Sequence, residues 1–296
     1  MMGKNRKGNG RPLFSKAFFI FGIAVIFFVI AVVSFVLYFG YGVREGRHEN
    51  IPPAPQIAKI EEPQPAPLKP HIPKARVAII IDDMGRDIKT LKEILAIDAP
   101  ISVAVLPFLP HSRDVAKEAN LMGRDVLLHL PMEPKELSGN DPGEGALFTN
   151  MSEAQIASQV KKDVDAVPHI TGINNHMGSK FTEDERLMRI VLDIAKKKNL
   201  FFLDSKTTNK SAAYRLAKNM GLKTASRQIF LDNTEDIAYI KGQITELINV
   251  AKKRGSAIAI GHPHPATIAA IKEMMPRFNE DVEIVTVSSL IDSMNE

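Results

Sequence analysis

The chain has 296 residues, of which 45% are hydrophobic and 24% charged, a globular balance that excludes disorder throughout and any collagen-like repeat. Its formal charge of +4 is unevenly placed: Lys4, Arg6, Lys7, Arg11 and Lys16 give residues 1–16 a charge of +5, residues 17–75 add +1, and residues 76–296 are left with −2. A folded region of that charge carries no basic footprint for nucleic acid. With no cysteine in the chain there are neither disulfides nor thiolate ligands, so any metal site must draw on His and carboxylate.

Residues 1–16 read as a cytoplasmic basic tail. Residues 17–43 contain no charged side chain, and ~20 apolar residues suffice to cross ~30 Å of hydrocarbon, so one transmembrane helix is predicted there. The preceding cations hold the N-terminus in the cytoplasm. Everything after Arg44 is then expected outside, periplasmic or extracellular, anchored to the lipid of a bacterial inner membrane as a single-pass protein. A cleaved signal peptide is the rival reading, but its apolar core is shorter and ends at a small-residue cleavage site, which FGYGVREG after the run does not offer. Residues 44–75 hold eight prolines between Ile51 and Pro73. Proline-rich chain is stiff and extended at ~3.1 Å per residue, so this stretch is predicted to be a spacer.

The remainder, residues 76–296, alternates. VAIIID, ISVAVLP, DVLLHL, GINNHMG, LFFLD, SAIAIGH and VEIVTVS are short runs rich in Val and Ile, as expected of strands buried on both faces. Between them lie segments with helical spacing, several opening on Ser, Thr or Asp and closing before Gly, such as SEAQIASQVKKDVDAV and AYIKGQITELINVAKKRG. The fold predicted is α/β, a distorted (β/α)7-type barrel, with an open doubly wound sheet as the alternative. In both, function gathers at the C-terminal ends of the strands.

Polar residues at those ends are therefore the candidates. Asp82 and Asp83 end the first run, His129 the third, Asn174, Asn175 and His176 the fourth, Asp204 the fifth and His262 the run SAIAIGH, with His264 two residues on. Asp82 or Asp83 could cap the helix that follows, Asp204 could cap the next turn, and the asparagines could be turn residues. Two adjacent carboxylates repel, however, and keeping both suits a cation or a shared proton. One Asp and two His around a divalent cation would leave positions open for water and substrate. The remaining carboxylate could take a proton and a histidine on another strand could give one. Zinc is the first choice of metal, with manganese, cobalt and nickel open on the same donors. There is no GxxxxGK[ST], no GxGxxG after a strand and no GxSxG. A phosphate substrate would call for cations at the strand ends, where Lys180, Lys206 and Arg227 are the candidates.

IIIDDMG, LLHLPMEP, GINNHMGS, FFLDSKT and IGHPHP, in this order, resemble the divergent polysaccharide deacetylases, relatives of the metal-dependent carbohydrate deacetylases. The resemblance covers about residues 75–293. It implies Asp82 as general base, Asp83 and His129 as metal ligands and His262 as general acid. Where those deacetylases carry a second metal histidine four residues after the first, this chain has Glu133, so His176 is the candidate to complete the set. Asn175, Asp204, His264 and Glu133 are candidates for substrate contact or for support of the ligands. The activity implied is a membrane-anchored hydrolase of the cell envelope that removes an acyl group from a polysaccharide or other glycan. The alternative is a non-catalytic domain binding a glycan or an envelope partner on the same barrel, and a third reading is another metal-dependent hydrolase, a phosphoesterase or amidase.

Overall fold

The computed structural model describes residues 26, 28–38 and 74–295. The chain divides into two units, Met1–Lys69 and Pro70–Glu296. Of the first, residues 28–38 form a helix, α1. The basic tail, the rest of the predicted membrane helix and the proline-rich stretch up to Pro73 lie outside the described residues. Among those described, no helix is long and apolar enough to cross a membrane.

The second unit runs β1 (Ala75–Met84), α2 (Ile88–Leu95), β2 (Ser102–Val105), α3 (Ser112–Leu121), β3 (Val126–Met132), α4 (Glu153–Ala166), β4 (Ile170–Met177), α5 (Glu185–Lys197), β5 (Phe201–Asp204), α6 (Ala213–Asn219), β6 (Thr224–Ser226), β7 (Ile229–Phe230), α7 (Ile237–Arg254), β8 (Ser256–Gly261), α8 (Pro265–Asp281), β9 (Val282–Ile284) and α9 (Val287–Asn295). Helices begin where a side chain satisfies the free N–H groups of the first turn. Asp87, Asp184 and Asp236 accept from the backbone three residues on, and Ser152 forms a reciprocal capping box with Gln155.

Every strand pairing is parallel, in the order β6-β5-β4-β3-β2-β1-β8-β7. β9 shares an edge of β1 with β2: Ala75–Val77 pair with Val282–Ile284, and Ile80 onward pairs with β2. Eight strands laid flat at ~4.8 Å spacing would be over 30 Å across. The two outermost, β6 and β7, are nevertheless joined by only Arg227 and Gln228, which reach ~10 Å at most. The sheet must curl until its edges approach, giving a parallel half-barrel consistent with a (β/α) barrel. No ladder joins β6 to β7 among the described residues. Gln228 bridges the seam instead, its backbone N–H donating to Ile258 O and its Oε1 accepting from Ile258 N.

Two cores follow from strand alternation. Val77, Ile79 and Ile81 of β1 face outward into the large cluster shared with the helices. Ala78 and Ile80 face inward with Ala104, Leu127, Leu203, Ala225, Ile258 and Ile260. The inner cluster is closed at the start of the strands by Val287, Leu290 and Ile291 of α9. This helix is stitched to that mouth by Arg76 to Ser293 at 2.7 Å, Val287 N to Ser102 Oγ at 3.2 Å and Ser288 N to Asp125 Oδ2 at 2.7 Å. The expected strand VEIVTVS is thus a strand only over its first three residues. Thr286 Oγ1 then accepts from Ser289 N, and the chain turns into the helix that plugs the half-barrel.

Candidate functional site

The opposite mouth, at the C-terminal strand ends, is polar. In a regular strand Asp82 and Asp83 would face opposite sides. Asp82 keeps the inward parity of Ala78 and Ile80. Asp83 has a φ of 57°, and the register between β1 and β2 breaks between Ile81 and Met84. This left-handed residue in a bulge turns the second carboxylate toward the same pole as the first, a strained conformation of the kind found at functional sites.

Inward parity also selects His129 on β3 and both Asn174 and His176 on β4. Asp83 Oδ1 lies 3.2 Å from His129 Nε2 and 2.9 Å from His176 Nδ1, and those two nitrogens are 3.1 Å apart. Two donors each ~2.1 Å from one cation and at right angles are ~3.0 Å apart, so three such separations suit a facial set on a single ion. The donor chemistry agrees. Asp83 Oδ1 is buried without a hydrogen-bond partner, an orphan that a cation would satisfy. The Nδ1 of His129 lies 2.9 Å from the amide oxygen of Asn174 and therefore carries the hydrogen, which leaves the Nε2 lone pair facing Asp83 and His176. Asp83, His129 and His176 fit a divalent cation.

Asp82 lies beneath this set, 3% exposed. Its Oδ2 is 3.5 Å from His129 Nε2 and its Oδ1 accepts from Asn174 Nδ2 at 2.9 Å. Burial pushes its pKa up, against the pull of His129 and His262. Burial would do the same to Asp83, but the imidazoles of His129 and His176, 3.2 and 2.9 Å from its Oδ1, outweigh it and hold that carboxyl far below the usual range. His129 is pulled down by burial and more than restored by Asp82 and Asp83, for a net rise.

His262, at the end of β8, stands across the mouth with Nε2 3.9 Å from Asp83 Oδ2. Its other nitrogen meets Asp232 Oδ1 at 3.0 Å, while Asp232 Oδ2 accepts from His262 N at 2.6 Å and from Thr267 Oγ1 at 2.7 Å. Burial pulls the His262 pKa down, but the bond to Asp232, with the charges of Asp82 and Asp83, raises it to about 9. Asp232 is the candidate residue that sequence reasoning missed. Its signal is present, since IFLD ending in Asp232 repeats the pattern of FFLD ending in Asp204, but β7 is two residues long and too short to show a strand pattern. His264 flanks His262, with ring centroids 5.8 Å apart, and lies 3.4 Å from Glu235. Asp83, Gly85, Arg86, Thr90, His262 and His264 line a cavity of about 260 Å³ beside the cluster.

Three candidates serve the scaffold instead. Asp204 has outward parity, opposite to Leu203. Its oxygens accept from Lys206 N, Ser211 Oγ and Tyr214 N, so it organises the start of α6. Asn175 braces β4 to β5, accepting from Ser205 N at 2.9 Å and donating to Met177 O at 2.8 Å. Glu133 follows β3 and is engaged by other partners. It accepts from Thr149 N and Oγ1 and from Lys180 Nζ, tying two loops of the rim together. Of the cations weighed for phosphate, Lys180 is spent on Glu133, and Arg227 on the carbonyls of Ser205 and Lys206.

A curled parallel sheet with carboxylates and imidazoles converging on its C-terminal pole is the architecture on which barrel proteins build active sites. The chain belongs to the divergent polysaccharide deacetylase family, whose model matches residues 79–291. It is 40% identical over 217 residues to an uncharacterized protein of Haemophilus influenzae, covering 73% of this chain and 77% of that one. It is 41% identical over 217 residues to the uncharacterized protein YibQ of Escherichia coli, covering 73% and 67%. Among solved structures, an uncharacterized protein of Agrobacterium tumefaciens has the same fold, with a TM-score of 0.70 at 22% identity over 74% of this chain and 90% of that one.

Proposed function

We propose that the protein is a membrane-anchored, metal-dependent hydrolase that removes an acyl group, acetyl in the first instance, from a polysaccharide or glycan of the cell envelope. The observation that carries this reading is the convergence of Asp83, His129 and His176 with their donor atoms 2.9–3.2 Å apart, flanked by a buried carboxylate on one side and an Asp-supported histidine on the other. Asp83, His129 and His176 would hold the cation, zinc first. When bound, the cation would polarise the acyl carbonyl and make water a stronger acid.

The chain's own groups supply the proton transfers. Asp82, with its pKa raised by burial, is the base that takes a proton from the attacking water. His262, kept protonated through neutral pH by Asp232, gives its proton to the departing amine or alcohol. Asp232 holds the ring so that Nε2 and not Nδ1 faces the reaction. We infer also that the half-barrel is a distorted (β/α)7 barrel, that residues 17–43 cross the inner membrane and that the catalytic domain lies outside it. The charge-free run and the five cations before it support the last two readings.

The test is elemental analysis of the wild-type protein beside Asp83→Ala and His129→Ala, followed by acetate release from N- and O-acetylated oligosaccharides. About one divalent ion per wild-type chain, lost in both variants, together with acetate release that depends on Asp82, is the expected result. A wild-type protein that takes up neither zinc nor manganese would sink the reading and leave the barrel as a binding domain.

A further inference from the structure

We propose that Asn174 is a positioning residue that couples the base to the metal ligands, fixing which nitrogen His129 offers to the cation. The inference rests on the metal-site reading above and goes beyond it, since neither the motif resemblance nor strand position assigns Asn174 a role. Its side chain is fully buried and its amide is used at both ends. Oδ1 lies 2.9 Å from His129 Nδ1, while Nδ2 donates to Asp82 Oδ1 at 2.9 Å and to Ser205 Oγ at 3.3 Å.

An amide has an acceptor at one end only. Were it flipped, its oxygen would face the carboxylate of Asp82, acceptor against acceptor in a buried site, at the cost of an unmade hydrogen bond to a charge. Asp82 therefore sets the amide's orientation. The amide in turn requires the hydrogen of His129 on Nδ1, and so leaves the Nε2 lone pair toward Asp83 Oδ1 and His176 Nδ1, 3.2 and 3.1 Å away. One side chain from β4 thus ties together the first carboxylate of β1 and the histidine of β3. The neighbouring strands hold it in register: Asn174 pairs with His129 on one side and Leu203 on the other.

The test separates the two ends of the amide. Asn174→Ala removes both. Asn174→Asp keeps an acceptor for His129 and loses the donor to Asp82, and a carboxylate behind a ligating histidine is an established substitute for a carbonyl oxygen. Zinc affinity is read by competition with a chromogenic chelator, the ligand field by the visible spectrum of the cobalt(II) protein, and folding by thermal melts of the metal-free proteins. Asn174→Ala is expected to bind zinc about 10–100-fold more weakly with a shifted cobalt spectrum. Asn174→Asp is expected to restore most of that affinity and the wild-type spectrum.

Metal-free melting temperatures close to wild type in Asn174→Asp show that the fold is intact. Wild-type affinity and spectrum in Asn174→Ala, or an Asn174→Asp protein that is folded yet binds as poorly as the alanine variant, would overturn the proposal. A wild-type chain that holds no zinc removes the metal site itself and this inference with it, an outcome told apart by the wild-type measurement alone.

Discussion

Two residues of unlike visibility, His262 and Asp232, would form the acid side of the proposed site. His262 stands out in the sequence because it ends an apolar run; Asp232 does not, because its strand is too short to carry a pattern. Yet the bond to Asp232, with the charges of Asp82 and Asp83, is what overcomes burial and raises the pKa of His262. With the His262 pKa raised to about 9, the acid remains loaded across neutral pH, and on its basic side the rate of the proposed hydrolysis is expected to fall as pH rises through about 9. The same group stabilises the fold fully below its ordinary value near 6.5, a contribution lost as pH climbs through about 9. Asp232→Asn can still accept from Nδ1–H through its amide oxygen but removes the charge. It is predicted to move the basic limb of the kcat/KM profile down by about one pH unit or more, and a profile whose basic limb stays near pH 9 would show that Asp232 does not tune His262. Asp82, Asp83, His129 and His176 were legible because strand-end position is written in the apolar runs themselves. What could not be read was which of the accompanying residues face inward. Asn174 and Asp204 look equivalent as polar strand ends, and only parity along β4 and β5 sends one into the barrel and the other to cap α6.

At the level of elements, the short apolar runs revealed the long strands β1, β3, β4 and β8, and capping residues revealed the starts of α2 and α4. β6 and β7 escaped because three and two residues show no period. α9 escaped because VTVS has β-branched residues and becomes helical only through the burial of Val287, Leu290 and Ile291 in the barrel mouth. Two packing contacts test this architecture. Gly172 lies where a Cβ would come within 2.2 Å of the Phe201 ring, so neighbouring strands β4 and β5 fill the interior only by giving one position no side chain. Gly172→Ala is predicted to destabilise the domain by about 1–3 kcal/mol through overpacking, read as a lower denaturation midpoint with an unchanged m-value, whereas an unchanged midpoint would mean that the ring has room to move.

On α4, Asp163 is fully buried, with Oδ1 accepting from Gln159 Nε2 at 2.7 Å and Oδ2 without a partner. Burial raises its pKa to about 7. The native state therefore binds this proton more tightly than the unfolded chain, and stability should decline as pH rises from about 4 to about 7. Asp163→Asn, neutral throughout, is predicted to melt at a higher temperature than wild type at pH 8, by on the order of 2–4 kcal/mol of stability, and to lose that advantage at pH 4. Equal melting at both pH values would show that Asp163 is satisfied in a way these contacts do not reveal.

For the molecule as a whole, charge and composition separate an N-terminal segment from the domain that carries every candidate site residue. Pro70–Glu296 forms a unit of its own and contains both cores and the whole polar mouth. A chain beginning at Pro70 is therefore predicted to keep the metal content and the kcat/KM of the full-length protein on a soluble acylated oligosaccharide. It should lose the co-flotation with phospholipid vesicles that residues 17–43 are proposed to provide. If residues 44–75 are the proposed proline-rich spacer, ~3.1 Å per residue lets them reach up to ~100 Å, enough to carry the polar mouth well clear of a bilayer. If reach is its purpose, deleting residues 51–69 should leave turnover of the soluble oligosaccharide unchanged while lowering acetate release from insoluble envelope glycan by membrane-bound protein. Equal loss on both substrates would place the spacer in the fold of the domain, and loss on neither would mean that the substrate comes to the membrane surface.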